Sequence, residues 1–401
     1  MPSKQSVPSR LYPIDHHSLQ DFDALCSQST RHSDYPNAVS VESNIPVYDA
    51  STICPSGCAP DPATASVLQD EWYHILLSGP GVFVLRNLYP RPLLAAVNGV
   101  FASLIDSENA ASSASSSSSS SSSKGDHFSA GANTRLWNSF GKHALASPAT
   151  FVPYYASPLL SLVCAAWLGP AYRVTAQLNV VHPGGAAQVS HRDYHLGFQP
   201  SAAACRYPRA AHAATRLLTL QGAVAHTDMP PASGPTRFLP FSQSFAGGYL
   251  ACRLPAFDDY FLARHVSLPL AAGDAVFFNP GLHHAAGANA SARDRSANLL
   301  QVSSPFGRPM ESLDSVPIVT ACWAGLRDLF DREGMGERVE AGVRAVGEGY
   351  AFPTNLDRRG PRGEGLAPES EQDVLRRALR EGWGVEEVVA ALETMREDSR
   401  A

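Results

Sequence analysis

The chain of 401 residues carries 31 Lys and Arg against 37 Asp and Glu, for a formal charge of −6, and 44% of its residues are hydrophobic. That balance describes a globular protein with a core to bury, and it excludes a general attraction to nucleic acid or to anionic membrane surfaces. No run approaches the ~18 consecutive apolar residues of a membrane span, and seven cysteines, an odd number spread over the chain, exclude a disulfide framework.

Residues 1–60 are polar, rich in Pro and Ser, and without a sustained period, which predicts an irregular N-terminal arm. The first twenty residues lack the apolar core of a secretory signal, so a cytoplasmic location is expected. A peroxisomal one has weaker support. Arg10-Leu11 followed by His17 resembles an N-terminal peroxisomal signal that Ser18 breaks, and the ending Asp398-Ser-Arg-Ala401 does not match Ser-Lys-Leu. Cys54 and Cys58 form a CPSGC pair with no second pair nearby to complete a zinc site, so they read as ordinary thiols.

A helical period runs over Ala63–Leu77 and stops at Ser78-Gly79-Pro80. The apolar run Val82–Leu85 predicts a strand, and Pro92–Ile105 a second amphipathic helix. The serine run Ser115–Ser123 cannot bury anything, which predicts a disordered surface insertion over 112–124. Between Arg173 and Ser304 the dominant period becomes two. In Arg173–Val181 the even positions Val174, Ala176, Leu178 and Val180 are apolar, while Thr175, Gln177 and Asn179 are polar. One face therefore packs on a core and the other meets something polar. Gln188–Tyr194, Leu217–Ala225, Thr236–Leu239, Val266–Leu270, Ala275–Phe278 and Ser296–Ser303 are further strand candidates. Short strands separated by Gly/Pro-rich turns predict a mainly β fold, a sandwich or jelly-roll barrel, with the earlier helices on the outer face of one sheet. After Pro305 the chain turns helical. Ser370 with Asp373 marks an N-cap, Val374, Leu375, Ala378 and Leu379 form an apolar stripe, Gly382 ends the helix and Val385–Met395 makes another. Residues 311–401 are thus expected to be a helical C-terminal extension packed on the same domain.

Chemistry concentrates in Gln188-Val-Ser-His191-Arg-Asp193-Tyr-His195. Period two puts His191 and Asp193 on one strand face, a few ångströms apart. Two histidines and one carboxylate on a triangular face leave three metal positions open, the arrangement of non-haem Fe(II) oxygenases. A third ligand is offered downstream, where the aromatic strand Ala275–Phe278 leads to His283-His284 and a turn of small residues, Ala-Ala-Gly-Ala-Asn289. Eleven residues beyond His284 stands Arg295. A guanidinium fork suits the far carboxylate of a metal-chelating 2-oxoglutarate.

His191-Arg-Asp193, His284 with the HAAGAN segment and Arg295 together resemble the phytanoyl-CoA dioxygenase family, over roughly residues 65 to 310. Ser233-Gly-Pro-Thr-Arg237 with Leu239-Pro-Phe-Ser242, and Leu268-Pro-Leu-Ala-Ala-Gly273-Asp274, also resemble the family's strand-and-turn framework. The resemblance implies a double-stranded β-helix (jelly-roll, cupin-like) core within residues 61–310, with flanking helices. It implies Fe(2+) held by His191, Asp193 and His284, and 2-oxoglutarate anchored at its C5 carboxylate by Arg295. Dioxygen and a small-molecule substrate are the expected partners, hydroxylation with release of succinate and CO2 the expected outcome, and ascorbate a candidate reductant. Halogenating relatives replace the carboxylate by a small residue; this chain keeps Asp193.

Gln177 and Asn179, on the polar strand face, and Gln188, three residues before His191, are candidate 2-oxoglutarate or substrate contacts. His283 competes with His284 for the third ligand position, although adjacent strand residues face opposite ways and only one can reach the metal. Arg293 is the rival of Arg295. Asn133, Arg135, Trp137 and Asn138 are candidates for the mouth of the site, and His182, His195 and His226 have structural readings. A cupin-like metal-dependent isomerase or hydrolase and a non-catalytic binding barrel stay open as other classes. No basic cluster that would hold a CoA phosphate is evident, so an acyl-CoA substrate is not expected, and the substrate itself is not readable.

Overall fold

The computed structural model describes residues 7–55, 57, 59–115, 132–362 and 364–400. Its strands are β1 (Ser40–Glu42), β2 (Ile45–Asp49), β3 (Val82–Arg86), β4 (Asn133–Leu136), β5 (Arg173–Val181), β6 (Thr219–Ala225), β7 (Arg237–Leu239), β8 (Ala275–Phe278), β9 (His283–Ala285) and β10 (Arg295–Ser303). Eight of them form one sheet in the order β1-β2-β3-β8-β6-β10-β5-β4, antiparallel except for β2 beside β3. β7 and β9 form a second, two-stranded layer. Single bridges widen that layer, His191 to His284 on one side and Phe238 to Val266 on the other.

Register divides the large sheet into two faces. Gln177, Leu299, Ala223, Val276 and Val84 lie in one row across five strands, and all of them line a cavity between the layers. The next row, Ala176, Leu300, Gly222, Phe277 and Phe83, turns the other way. That second face is covered by helices. Trp72 of the helix Pro62–Leu77 stacks on Phe83 at 5.6 Å, and Phe83 meets Phe277 at 5.6 Å. Gly222 is required there, because a Cβ would come within 2.8 Å of the Phe277 ring. The alternation expected for β5 is present, with Val174, Ala176 and Leu178 in the helix-side core.

The expected weight of strand over helix is wrong, since helix accounts for 45% of the chain and strand for 15%. Helices Ser139–Ala146, Pro148–Tyr155 and Pro158–Leu168 were not among the expected elements. The last buries Leu159, Leu160, Val163, Cys164, Trp167 and Leu168, and a helix buried nearly all round has no polar stripe to betray its period. Arg209–Thr215 and Pro255–Arg264 are further helices inside the segment read as strands. Two strand candidates also shrink. Gln188–Tyr194 pairs only through the His191 bridge, and Val266–Leu270 only through bridges at its two ends.

The irregular arm is a second correction. Within residues 7–60 the chain forms the helix Leu19–Cys26 and strands β1 and β2, and Ile45, Val47 and Tyr48 are buried. Pro46 disguised β2 as a turn, yet the strand pairs in parallel with β3. Glu71 fastens it by accepting from the Tyr48 hydroxyl and the Asn37 amide, each at 2.7 Å. The helix Arg91–Ser115 outruns its expected end at Ile105, and residues 116–124 of the expected insertion lie outside the described residues. Beyond Pro305 the helix Ser315–Glu333 packs on Pro148–Tyr155 and Ser139–Ala146. One apolar cluster continues from Trp72 through Val319 and Leu375 to Leu392. Among the described residues no single helix is long and apolar enough to cross a membrane.

Candidate metal centre

The short layer brings the ligand candidates together. His191 and His284 exchange two backbone hydrogen bonds, at 2.9 and 3.0 Å, and the Asp193 N–H donates to the Pro280 carbonyl at 2.9 Å. Their side chains consequently share one side of the layer. His191 Nε2 lies 3.7 Å from Asp193 Oδ1, and His284 Nε2 lies 3.6 Å from Asp193 Oδ2. One ligand atom from each residue falls within 4.8 Å of the others, the one such cluster of His, Cys, Asp or Glu found among the described residues.

Hydrogen bonding sets which nitrogens are available. Nδ1 of His191 is 2.8 Å from the Val189 carbonyl, and Nδ1 of His284 is 2.8 Å from the Leu282 carbonyl. A carbonyl only accepts, so each Nδ1 carries a proton and each Nε2 is the nitrogen left facing Asp193. Burial, reinforced by the nearby His284 and Arg135, pushes His191 below the ordinary histidine range despite Asp193. Burial alone would raise the Asp193 carboxyl, but His191, His284 and the Gln221 amide together hold it well below the usual carboxylate range. Two imidazole nitrogens beside an ionised carboxylate make a donor set suited to a divalent metal.

The three residues face a cavity of about 550 Å³ between the layers. Met229, Phe238, Leu270 and Phe278 give it apolar wall, whereas Arg135, Gln177, Asn179, Gln221 and Arg295 give it polar groups. Arg295 is buried, donates to the Ser233 and Gly287 carbonyls at 3.0 Å each, and has no carboxylate partner among the described residues. Burial brings its guanidinium down to about 10, so the charge persists at neutral pH.

The rivals part geometrically. His283 points away from the cluster and packs against Phe261 at 4.9 Å, and Arg293 is exposed in the turn before β10. Gln177 and Asn179 line the cavity, with Gln177 Oε1 accepting from Arg135 at 2.8 Å. Gln188 also borders it, but its Oε1 accepts the Ala286 N–H at 3.1 Å and so serves the pairing of the layer. Asn138 caps the helix Ser139–Ala146, and the Arg135 guanidinium lies 5.4 Å from the Trp137 ring. Asn133 begins β4 at the Val181 end of β5. His182 bridges Thr134 and Asp294. His226 sits on the helix side between Asn98 and Tyr154, and His195 is partly buried in a left-handed turn at φ 39°. Cys58 lies outside the described residues.

Gln221 escaped the sequence reading. Its Nε2 donates to Asp193 Oδ2 from the middle of β6. The signal was present, because Gln221 is the polar residue in the otherwise small and apolar stretch Leu220–Ala225.

Residues 79–297 match the family described as phytanoyl-CoA dioxygenase (PhyH). No curated protein matches the chain. Among solved structures it is similar to the non-heme alpha ketoglutarate dependent carbocyclase SnoK from nogalamycin biosynthesis, at 18% identity over 62% of this chain and 95% of that one, with a TM-score of 0.45. It is also similar to the epimerase SnoN of the same biosynthesis, at 16% identity over 61% and 85% of the respective chains, with a TM-score of 0.40.

Proposed function

The chain belongs to the phytanoyl-CoA dioxygenase family, and from that premise we propose that it is an Fe(II)- and 2-oxoglutarate-dependent oxygenase that hydroxylates a small organic molecule. His191, Asp193 and His284 are the metal ligands, and Arg295 receives the far carboxylate of 2-oxoglutarate. The eight-stranded sheet and the short β7–β9 layer are the two sheets of an open, reduced double-stranded β-helix. One observation carries the reading. Three converging ligand atoms and a buried guanidinium without a carboxylate partner among the described residues come from different layers and line the same cavity.

With both groups bound, iron and 2-oxoglutarate would supply oxidation of a substrate C–H bond by dioxygen, with succinate and CO2 as the other products. The chain's residues supply the rest. The carbonyls of Val189 and Leu282 lock both imidazoles in the tautomer that presents Nε2. Arg295 is anchored by two backbone carbonyls, so its fork is oriented before an anion arrives. Phe238, Phe278 and Leu270 exclude water from the apolar wall, against which a substrate skeleton would rest.

An anaerobic titration of Fe(II) and 2-oxoglutarate tests this reading through its weak visible charge-transfer band. The band is expected in the native chain and absent from His191→Ala and Asp193→Ala. Zinc binding without the band would favour an isomerase or hydrolase, and 2-oxoglutarate turnover retained in Asp193→Ala would remove the ligand assignment.

A further inference from the structure

Gln221 reaches a proposed ligand from the large sheet, across the cavity. The register of β6 sets it opposite Phe278 on one neighbour and Gln301 on the other, and all three line the cavity. Its Nε2 donates to Oδ2 of Asp193. An ionised carboxylate only accepts, so the amide has one workable orientation, with the NH2 end toward Asp193. The other end, Oε1, is buried without a hydrogen-bond partner among the described residues. A buried amide kept half unsatisfied is committed to its one contact. The two oxygens of Asp193 therefore differ: Oδ2 accepts from Gln221 and faces His284, whereas Oδ1 faces His191 with no such donor.

We propose that Gln221 is a positioning residue that reserves one oxygen of Asp193, so that the carboxylate binds metal through the other oxygen alone. This rests on His191, Asp193 and His284 being the ligands. An oxygen already accepting an amide hydrogen is a poorer metal donor, and the amide also fixes the rotation of the carboxylate plane. A grip through one oxygen leaves three of six octahedral positions for a chelating oxo acid and dioxygen. A grip through both would close one of them.

Cobalt(II), whose visible bands report coordination number, is titrated without oxygen into the full chain and into Gln221→Met, Gln221→Lys and His191→Ala. Gln221→Met keeps the side-chain volume but has no donor. With Oδ2 freed to join the metal, it is expected to give the band shape of a higher coordination number and a cobalt affinity changed roughly 10–100-fold, with apo-protein melting close to that of the native chain. Gln221→Lys keeps an N–H donor on Oδ2, one bond longer and charged, so it is expected to restore the native band shape while its charge weakens cobalt binding. Should Gln221→Met not fold, Gln221→Leu carries the same comparison. Native cobalt affinity within twofold and an unchanged spectrum in the donor-less variant would overturn the proposal. If His191→Ala binds cobalt as the native chain does, the ligand assignment itself fails and the role of Gln221 falls with it.

Discussion

The two faces of the large sheet are built from the same strands, yet they solve opposite problems. The helix face buries Phe83, Phe277, Leu300 and Val302 against Trp72 and the surrounding helices, with aromatic rings in contact. The cavity face carries Gln177, Asn179, Gln221, Gln301 and Arg295, and the first four have buried polar atoms without partners among the described residues. Unpaired buried polar atoms destabilise a fold. They persist on one face because the other supplies dense apolar packing. The contrast teaches where to look in a strand: stability is read from residues facing the helices, and chemistry from their alternate neighbours.

Trp72→Ala attacks the helix face and has the largest expected effect on stability. Trp72 is fully buried and stacked on Phe83. Its removal leaves a large cavity, and a loss of about 3–5 kcal/mol is expected, read as a lower midpoint in denaturant. The folded fraction should keep its cobalt affinity within about threefold if the faces act independently. A tenfold loss of metal affinity would show that they are coupled.

Arg295→Ala attacks the cavity face. Removing a charge-assisted contact of about 1.5–3 kcal/mol should raise the 2-oxoglutarate requirement by roughly 10–150-fold, with the denaturation midpoint unchanged or raised, since a buried cation without a counter-ion is lost. Steady-state succinate formation against 2-oxoglutarate concentration checks it. An unchanged KM would point to another cation, and the exposure of Arg293 makes Arg135 the one to test next.

The sequence showed the cavity face better than the fold that supports it. His191, Asp193, His284 and Arg295 stood out because their residue types and spacing are those that metal and anion chemistry would require, and the fold brings all four to one cavity. β5 was legible because one face meets helices and the other a cavity with polar groups, so its alternation is strict. Pro158–Leu168 was hidden because burial on nearly every side erases periodicity. β2 was hidden because it is short, holds Pro46, and finds its partner β3 more than thirty residues later. Gln221 was passed over for a different reason. A single polar residue in an apolar strand says that something waits opposite, but only the fold says it is Asp193.

The C-terminal helices give the smallest and sharpest test, because they extend the apolar cluster of the helix face outward and line none of the cavity. Ser370 and Asp373 form a reciprocal cap. The Asp373 N–H donates to Ser370 Oγ at 3.2 Å, and the Ser370 N–H donates to Asp373 Oδ2 at 3.0 Å. The helix they start, Glu371–Glu381, places Val374, Leu375, Ala378 and Leu379 in the main apolar cluster and ends at Gly382 with φ 75°. Ser370→Ala removes one half of the cap, and about 1 kcal/mol of stability should go with it. If the extension shares the cooperative unit of the sheet, thermal unfolding stays a single transition at a slightly lower midpoint, and 2-oxoglutarate and cobalt affinities do not change. A separate early transition would instead make residues 311–401 a unit of their own, and the helix face of the sheet would then owe its stability to the helices before β10 alone.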